Sequence, residues 1–354
     1  MRQAWIVALL LACSGDKDVS VTSTADTSPD DTGPAGDGWS LLGDGSALSA
    51  AVLSIWATSS GDVWMVGADD GTGPLLLSYD GTAWARIDTS SVPGDLWWIW
   101  SDGGETIFLS GEGGRVVTYS RTDGSLTEVT AANAAYKLFG LWGTSPTSVY
   151  GVGGDVNANL DGVIIHYDGT SWTEVATAPP GDTGSQRQAF KIWGSGEDNI
   201  WVVGTGALIM HHDGTGWTTD EAPPLYGSVP LTTVHGAGPG DVYAVGGLGN
   251  AATIHYDGTA WSDTSPPPLA VAPFFNGVYA TTDRGVVSCG GSGSIWWHRD
   301  TEWVPDGRAQ VTTRDLHACW IDETGAVWAV GGDLTTLDEG AVITDNPSVP
   351  PISF

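Results

Sequence analysis

Apolar residues in this chain come in short runs. Ile200-Trp201-Val202-Val203 and Leu208-Ile209-Met210-His211 are typical, rich in β-branched and aromatic side chains and bounded by Gly, Asp or Thr. Runs of this kind predict strands. Their near-unbroken apolarity, in place of alternation, predicts sheets covered on both faces. Around Trp193 the pattern gives four strands. Ile192-Trp193-Gly194 ends the first, residues 200–203 form the second, 208–211 the third, and Trp217-Thr218 opens the fourth. Asp213-Gly214 separates the third from the fourth and predicts a type I′ hairpin, whose two central positions need positive φ.

The same set recurs along the chain. Asp-Gly-x-x-Trp stands at Asp80–Trp84, Asp168–Trp172, Asp213–Trp217 and Asp257–Trp261, with degenerate copies at Asp123–Leu126 and Asp300–Trp303. A second marker, an apolar-aromatic stretch closed by glycine, ends at Gly67, Gly111, Gly153, Gly204, Gly246, Gly290 and Gly331. A ring-bearing residue precedes each glycine at one constant offset: Trp56, Trp100, Trp142, Trp193, His235, Tyr279 and Trp320. Four short strands per repeat of about 44 residues, covered on both faces, predict the blades of a β-propeller. The last repeat lacks its own fourth-strand Trp, and Trp39 supplies an earlier one. The expected fold is therefore all-β: a seven-bladed propeller over residues 37–345, with four antiparallel strands per blade. Its closing blade joins three C-terminal strands to one N-terminal strand, which removes two free sheet edges. Residues 346–354 are left as a C-terminal tail.

The first residues differ from everything that follows. Met1-Arg2-Gln3 precedes an apolar stretch from Ala4 to Ala12, the form of an export signal over residues 1–12. That stretch is too short to span a bilayer. Residues 13–36 are Ser, Thr, Asp, Gly and Pro with little apolar content, which predicts a flexible tether. Leu10-Leu11-Ala12-Cys13 resembles the bacterial lipobox. The resemblance implies a lipoprotein cut before Cys13 and lipid-anchored through it. Ser14 in the next position favours the outer membrane or cell surface over the inner membrane.

The repeat also resembles a known kind of protein. Trp193-Gly194, Val242-Tyr243-Ala244-Val245-Gly246 and His255-Tyr256-Asp257-Gly258-Thr259-Ala260-Trp261 look like the repeat of bacterial propeller lipoproteins. They are more distantly similar to the Asp-box repeats of sialidase and photosystem-assembly-factor propellers. A true Asp-box has one residue between Asp and Gly, and this chain has none. The resemblance covers nearly all of the chain beyond Cys13; it implies the fold and carries no activity.

Charge narrows the partners. Twelve Lys+Arg against 42 Asp+Glu give a net charge of −30, the wrong sign for a phosphate-backbone binder, so nucleic acid is excluded. The arginines fall at unrelated repeat positions, so no sialidase-like convergence on a carboxylate is expected. His166, His211 or His212, His255 and His298 recur near the ends of third strands and read as repeat-encoded packing, about a blade apart and too far to share one ion. Asp155, Asn157, Asn159 and Asp161 alternate in one loop of blade 3 and form a candidate calcium loop; calcium is the single cofactor the sequence suggests. Asp69, Asp70, Asp333, Asp338 and Glu339 fall in equivalent loops of neighbouring blades and predict an acidic cluster on one face. Cys289 and Cys319 take core positions in adjacent blades, as two buried thiols or as a disulfide.

The function expected from these features is a non-catalytic binding scaffold, monomeric and anchored to the cell envelope. It would recognise a protein or glycan through the face carrying the fourth-to-first and second-to-third strand loops. The alternative is a secreted carbohydrate-active hydrolase. That alternative requires two facing carboxylates in a channel-mouth pocket beside an aromatic ring.

Overall fold

The computed structural model describes residues 38–155, 161–181, 184–223, 229–266 and 274–354. The expected signal (1–12), Cys13 and the tether (13–36) lie outside them. The described residues form seven four-stranded antiparallel sheets. Blades 1 to 6 occupy residues 52–86, 96–130, 137–177, 189–219, 231–263 and 275–305. Blade 7 takes its first three strands from residues 315–344 and its fourth from Ser40–Gly43, paired antiparallel through Ser40 with Thr344 and Leu41 with Ile343. This is the expected three-plus-one closure. Each second strand is buried along nearly its whole length, whereas outer strands such as Leu126–Thr130 and Trp172–Thr177 are largely exposed.

Packing explains the glycines of both repeat markers. A Cβ on the glycine closing each second strand would strike the backbone at the start of its own blade's inner strand. It would lie 2.1 Å from the Ala51 oxygen at Gly67, 1.8 Å from the Gln188 oxygen at Gly204 and 2.1 Å from the Pro230 oxygen at Gly246. The same carbonyls accept the N–H of the following residue, as Ala51 does from Ala68 and Pro230 from Gly247. The glycine that follows the inner-strand ring residue, in Trp142-Gly143, Trp193-Gly194 and His235-Gly236, has a different task. Trp100 lies against Gly143, Trp142 against Gly194 and Trp193 against Gly236, each ring on the glycine of the next blade. The Trp of one blade and the glycine at the next blade's equivalent site thus form a blade-to-blade joint.

The Asp-Gly hairpins depart from the expected type I′ turn. Tyr79 pairs with Trp84, which leaves four residues in the loop, and only Gly81 has positive φ. The carboxylate closes the turn in place of a second left-handed residue. Asp80 Oδ1 accepts the N–H and hydroxyl of Thr82 (2.9 and 2.7 Å) and the N–H of Ala83 (2.8 Å). Asp168, Asp213 and Asp257 repeat the arrangement. The degenerate copy at Asp300 differs: Arg299 pairs with Glu302 across a two-residue turn with Asp300 at φ 52°.

A β-bulge recurs near the start of every inner strand, at Leu53, Trp97, Phe139, Phe190, Thr232, Asn276 and His317. Bulges turn extra side chains out of the ladder, and here they line the propeller axis. Leu53, Trp97 and Phe139 form one apolar cluster with Leu334, and Phe190 and Leu337 pack against it. Side chains also tie neighbouring inner strands to one another's carbonyls. Thr233 donates to Asn276, Asn276 Nδ2 to Leu316 (3.0 Å), His317 Nδ1 to Leu53 (2.5 Å) and Lys191 Nζ to Phe139 (2.7 Å). Lys191 also sits over the Trp98 ring, 4.2 Å from its centroid.

Residues 346–354 pack across the joint between blades 7 and 1. Val349 and Ile352 enter the core cluster containing Leu42, Trp84 and Trp328. The Trp84 indole donates to the Pro350 carbonyl (3.0 Å), and Ile352 N–H donates to Leu42 (2.7 Å).

Candidate interaction face

The second-to-third strand loop of blade 7 holds, with the strand ends that flank it, three of the five acids expected on one face. Leu334 and Leu337 turn inward onto the axial cluster, and the polar residues around them stay at the surface. Backbone bonds stitch the loop to the approach to blade 1: Ala51 N–H donates to Leu337, and Glu339 N–H to Ser49. Carboxylate oxygens of Asp333, Asp338 and Glu339 lie within 4.8 Å of one another. Arg314 pairs with Glu339 and reaches Asp333 at 3.8 Å. A cation placed among these three acids would therefore compete with a guanidinium already there. Burial alone would raise Asp333, but the N–H groups of Thr335 and Thr336, with Arg314, bring it below the ordinary carboxylate value. Neighbouring Asp315 is pushed up by burial, and the Asp333 charge adds to the effect.

Asp69 and Asp70 share this face but form a separate group. Asp70 is bridged by Arg86 (2.8 Å), receives the Ser49 hydroxyl (2.8 Å) and is held far below the usual carboxylate range, chiefly by Arg86. Asp69 closes its own loop, accepting N–H bonds from Gly71 (2.8 Å) and Gly73 (3.0 Å). Its N–H donates to Asp95, whose carboxyl is raised by burial, with the Glu112 charge adding to it. Asp70 and the blade 7 trio thus each hold their own arginine.

An open cavity of about 660 Å³ lies beside the blade 7 loop, between residues 44–46, 310–314 and 339–341. Two carboxylates line it, Asp44 and Glu339, and no aromatic ring does. Asp44 is engaged by the N–H and hydroxyl of Ser46, and Glu339 by Arg314. This is not the pair of facing acids beside a ring that the hydrolase alternative requires.

The other sequence candidates are dispersed. Of the calcium loop, Asp155 and Asp161 flank the gap and their charges both bear on Tyr136, while Asn157 and Asn159 lie outside the described residues. His166, His211 and His255 stack on second-strand rings, at 4.1 Å on Tyr150, 3.9 Å on Trp201 and 4.4 Å on Tyr243. Their Nε2 atoms meet Ser148 (3.0 Å), Asn199 (2.7 Å) and Asp241 (2.7 Å), the opening residues of the second strands. The expected full-blade separation fails at one place. The centroids of His255 and His298, in adjacent blades, are 6.5 Å apart because both rings pack on Tyr243. Cys289 and Cys319 are both buried and both free thiols.

With this geometry in view, comparison with solved structures gives a fold. Virginiamycin B lyase from Staphylococcus aureus is 12% identical, covering 86% of this chain and 99% of that one, at a TM-score of 0.66. YCF48 from Cyanidioschyzon merolae is 12% identical over 87% of this chain and 98% of its own, at 0.64. The WD40 propeller domain of Doa1 is 12% identical over 87% and 97%, at 0.62. The chain is a seven-bladed β-propeller. No protein-family model and no curated protein matches its sequence. At these identities a lyase and a WD40 domain are equally good likenesses, so the fold carries no activity with it.

Two features of the propeller escaped the sequence reading. Leu334 and Leu337 are the signal for the axial plug, two leucines in an otherwise polar loop. Lys191 interrupts the apolar run of an inner strand, between Phe190 and Ile192, and that break was the visible sign of a buried cation.

Proposed function

We propose that this chain is a non-catalytic binding scaffold, held at the bacterial cell envelope through lipid on Cys13, that recognises a protein partner through the face around the blade 7 loop. The observation that carries the reading is the apolar plug. Leu334 packs on Leu53, Trp97 and Phe139, so apolar side chains fill the axis at this face. Around it the acids are arranged with Arg86 and Arg314 as a charged rim. Charged rims on a rigid scaffold steer and select partners. Calcium at the blade 3 loop would be an auxiliary ligand of that face.

The test is capture of the partner. The tagged, lipidated chain is cross-linked in its own cells, isolated and analysed by mass spectrometry. A control carries Asp69→Asn, Asp70→Asn, Asp333→Asn and Asp338→Asn. One dominant protein, recovered with the parent and lost with the control, is the expected result. No enriched protein, together with turnover of any member of a glycan panel, would replace the scaffold with the hydrolase. The anchor is tested separately: Cys13→Ala should move the chain from the membrane fraction to the soluble one.

A further inference from the structure

Cys289 lies in the second strand of blade 6, at Gly285–Gly290, and Cys319 in the inner strand of blade 7, at Asp315–Ile321. Both side chains lie in one buried cluster across the joint between the blades, near enough for the Cys319 side chain to act on the Cys289 thiol. The register shows what permits the approach. Cys289 pairs with Gly277 of its own blade's inner strand. A Cβ at Gly277 would stand 2.9 Å from Cys289 Sγ and 3.0 Å from Ala318 Cα. The missing side chain lets the inner strand of blade 7 close until its cysteine meets the one behind Gly277. Apolar Val287, Ile295, Leu316 and Ile321 surround the pair, and Cys319 Sγ has a weak bond to the Val287 carbonyl at 3.7 Å.

We propose that Cys289 and Cys319 are a modification site, forming an intrachain disulfide that bonds blade 6 to blade 7 when a thiol–disulfide oxidant is present. The thiolate of one cysteine attacks a sulfur of the oxidant's disulfide and expels the other half as a thiol. The second cysteine attacks the mixed disulfide and expels the remaining half. Two electrons pass to the oxidant, which leaves as two thiols carrying the two protons. Burial pushes the Cys289 thiol up, so it holds little thiolate once folded. The exchange therefore belongs to the folding chain, before the joint closes. The bond would fasten the ring beside the one blade that is assembled from both ends of the propeller.

The test uses the full chain with Cys13→Ser, so that a thiol count reads this pair alone. The reduced, denatured chain is refolded in a buffer of oxidised and reduced glutathione. The expected product is a folded monomer lighter by two hydrogens. It has no titratable thiol in denaturant and yields a linked peptide pair containing Cys289 and Cys319. Reductant should lower its unfolding midpoint and leave that of the Cys289→Ala/Cys319→Ala variant unchanged. A folded monomer in which both thiols titrate, or which carries glutathione adducts instead of the link, would overturn the proposal. Should that chain fail to refold, the same count on folded protein opened in urea with oxidised glutathione decides the question in the same way.

Discussion

The indole of Trp193 occupies the space where a side chain on Gly236 would begin: a Cβ there would stand 2.3 Å from the ring. Gly236 has an ordinary negative-φ backbone, so the demand for glycine is one of volume. Gly236→Ala should push Trp193 off the blade 4–blade 5 joint. Overpacking of this kind costs about 1–3 kcal/mol, read as a lower urea midpoint. Gly216→Ala is the control, because nothing lies within 4 Å of a Cβ there. Equal effects of the two substitutions would refute the joint.

The guanidinium of Arg308 is the clasp of the closing blade. It lies 4.5 Å from the Trp39 ring centroid and bonds Asp306 (2.7 Å) and Asp345 (2.5 Å), which are both nearly buried. Trp39 leads into the N-terminal strand, and Asp345 directly follows the C-terminal one. Arg308→Ala strands two buried carboxylates and should destabilise the chain by about 3 kcal/mol. Amide exchange should quicken first in Ser40–Gly43. If exchange there stays at the parent rate, the clasp has no role in closure.

The Asp-Gly turns give the protein an acid limit. Asp80, Asp168, Asp213 and Asp257 are brought down to about 2, first by the hydroxyls of Thr82, Thr170, Thr215 and Thr259. A depressed carboxylate stabilises the fold above its unfolded value near 4, and that contribution is lost as pH falls through the folded value. Stability should therefore drop between about pH 4 and pH 2. Asp→Asn at all four positions should flatten the melting temperature against pH in that window. An unchanged slope would show that other acids set the limit.

Much of this was legible in the chain, for a definite reason. Propeller blades repeat, so the steric demand on the glycine that closes each second strand, such as Gly204, leaves a mark in all seven blades, and seven marks outweigh local ambiguity. The blade count and the closure at Trp39 follow from those marks. The turn type did not, because Asp-Gly is compatible with a type I′ hairpin as well as with a four-residue loop closed by the aspartate; Thr82 and its equivalents were the cue. The face was the least legible. Leu334, Arg314 and Lys191 each occur once, and a residue without a repeat gains meaning only from its three-dimensional neighbours.

Lys191 should give the protein an alkaline rise in stability. In the unfolded chain a lysine keeps its proton to about pH 10; in the folded chain burial brings Lys191 down to about 7. Between these values the unfolded state binds more protons, so stability increases with pH. The Trp98 ring and the Phe139 carbonyl favour the ammonium and soften the rise. His317, lowered to about 3 by burial and by the Lys191 charge, and His235, lowered to about 4, act in a separate window below pH 6.5. Lys191→Met should remove the rise between pH 7 and pH 9; the lower window should persist because burial chiefly sets it, with the His317 part reduced by the lost charge. A variant with the parent's slope above pH 7 would mean that Lys191 stays protonated in the fold.

Leu334 tests the plug without touching the rim. Its side chain is buried against Leu53, Trp97 and Phe139, and shortening it to Ala leaves a hole at the axis. Deletions of this kind cost about 2–5 kcal/mol, depending on how far the surroundings collapse. Leu334 directly follows Asp333 but turns inward onto the axial cluster, whereas the charged contacts of Asp333, Arg314 and Glu339 are nearer the surface. Leu334→Ala should therefore lower the melting temperature yet still capture the partner that the Asp→Asn control loses. If capture fails at a temperature where the variant is folded, the partner reads the apolar mouth itself. The recognition surface would then move inward from the charged rim to the axis.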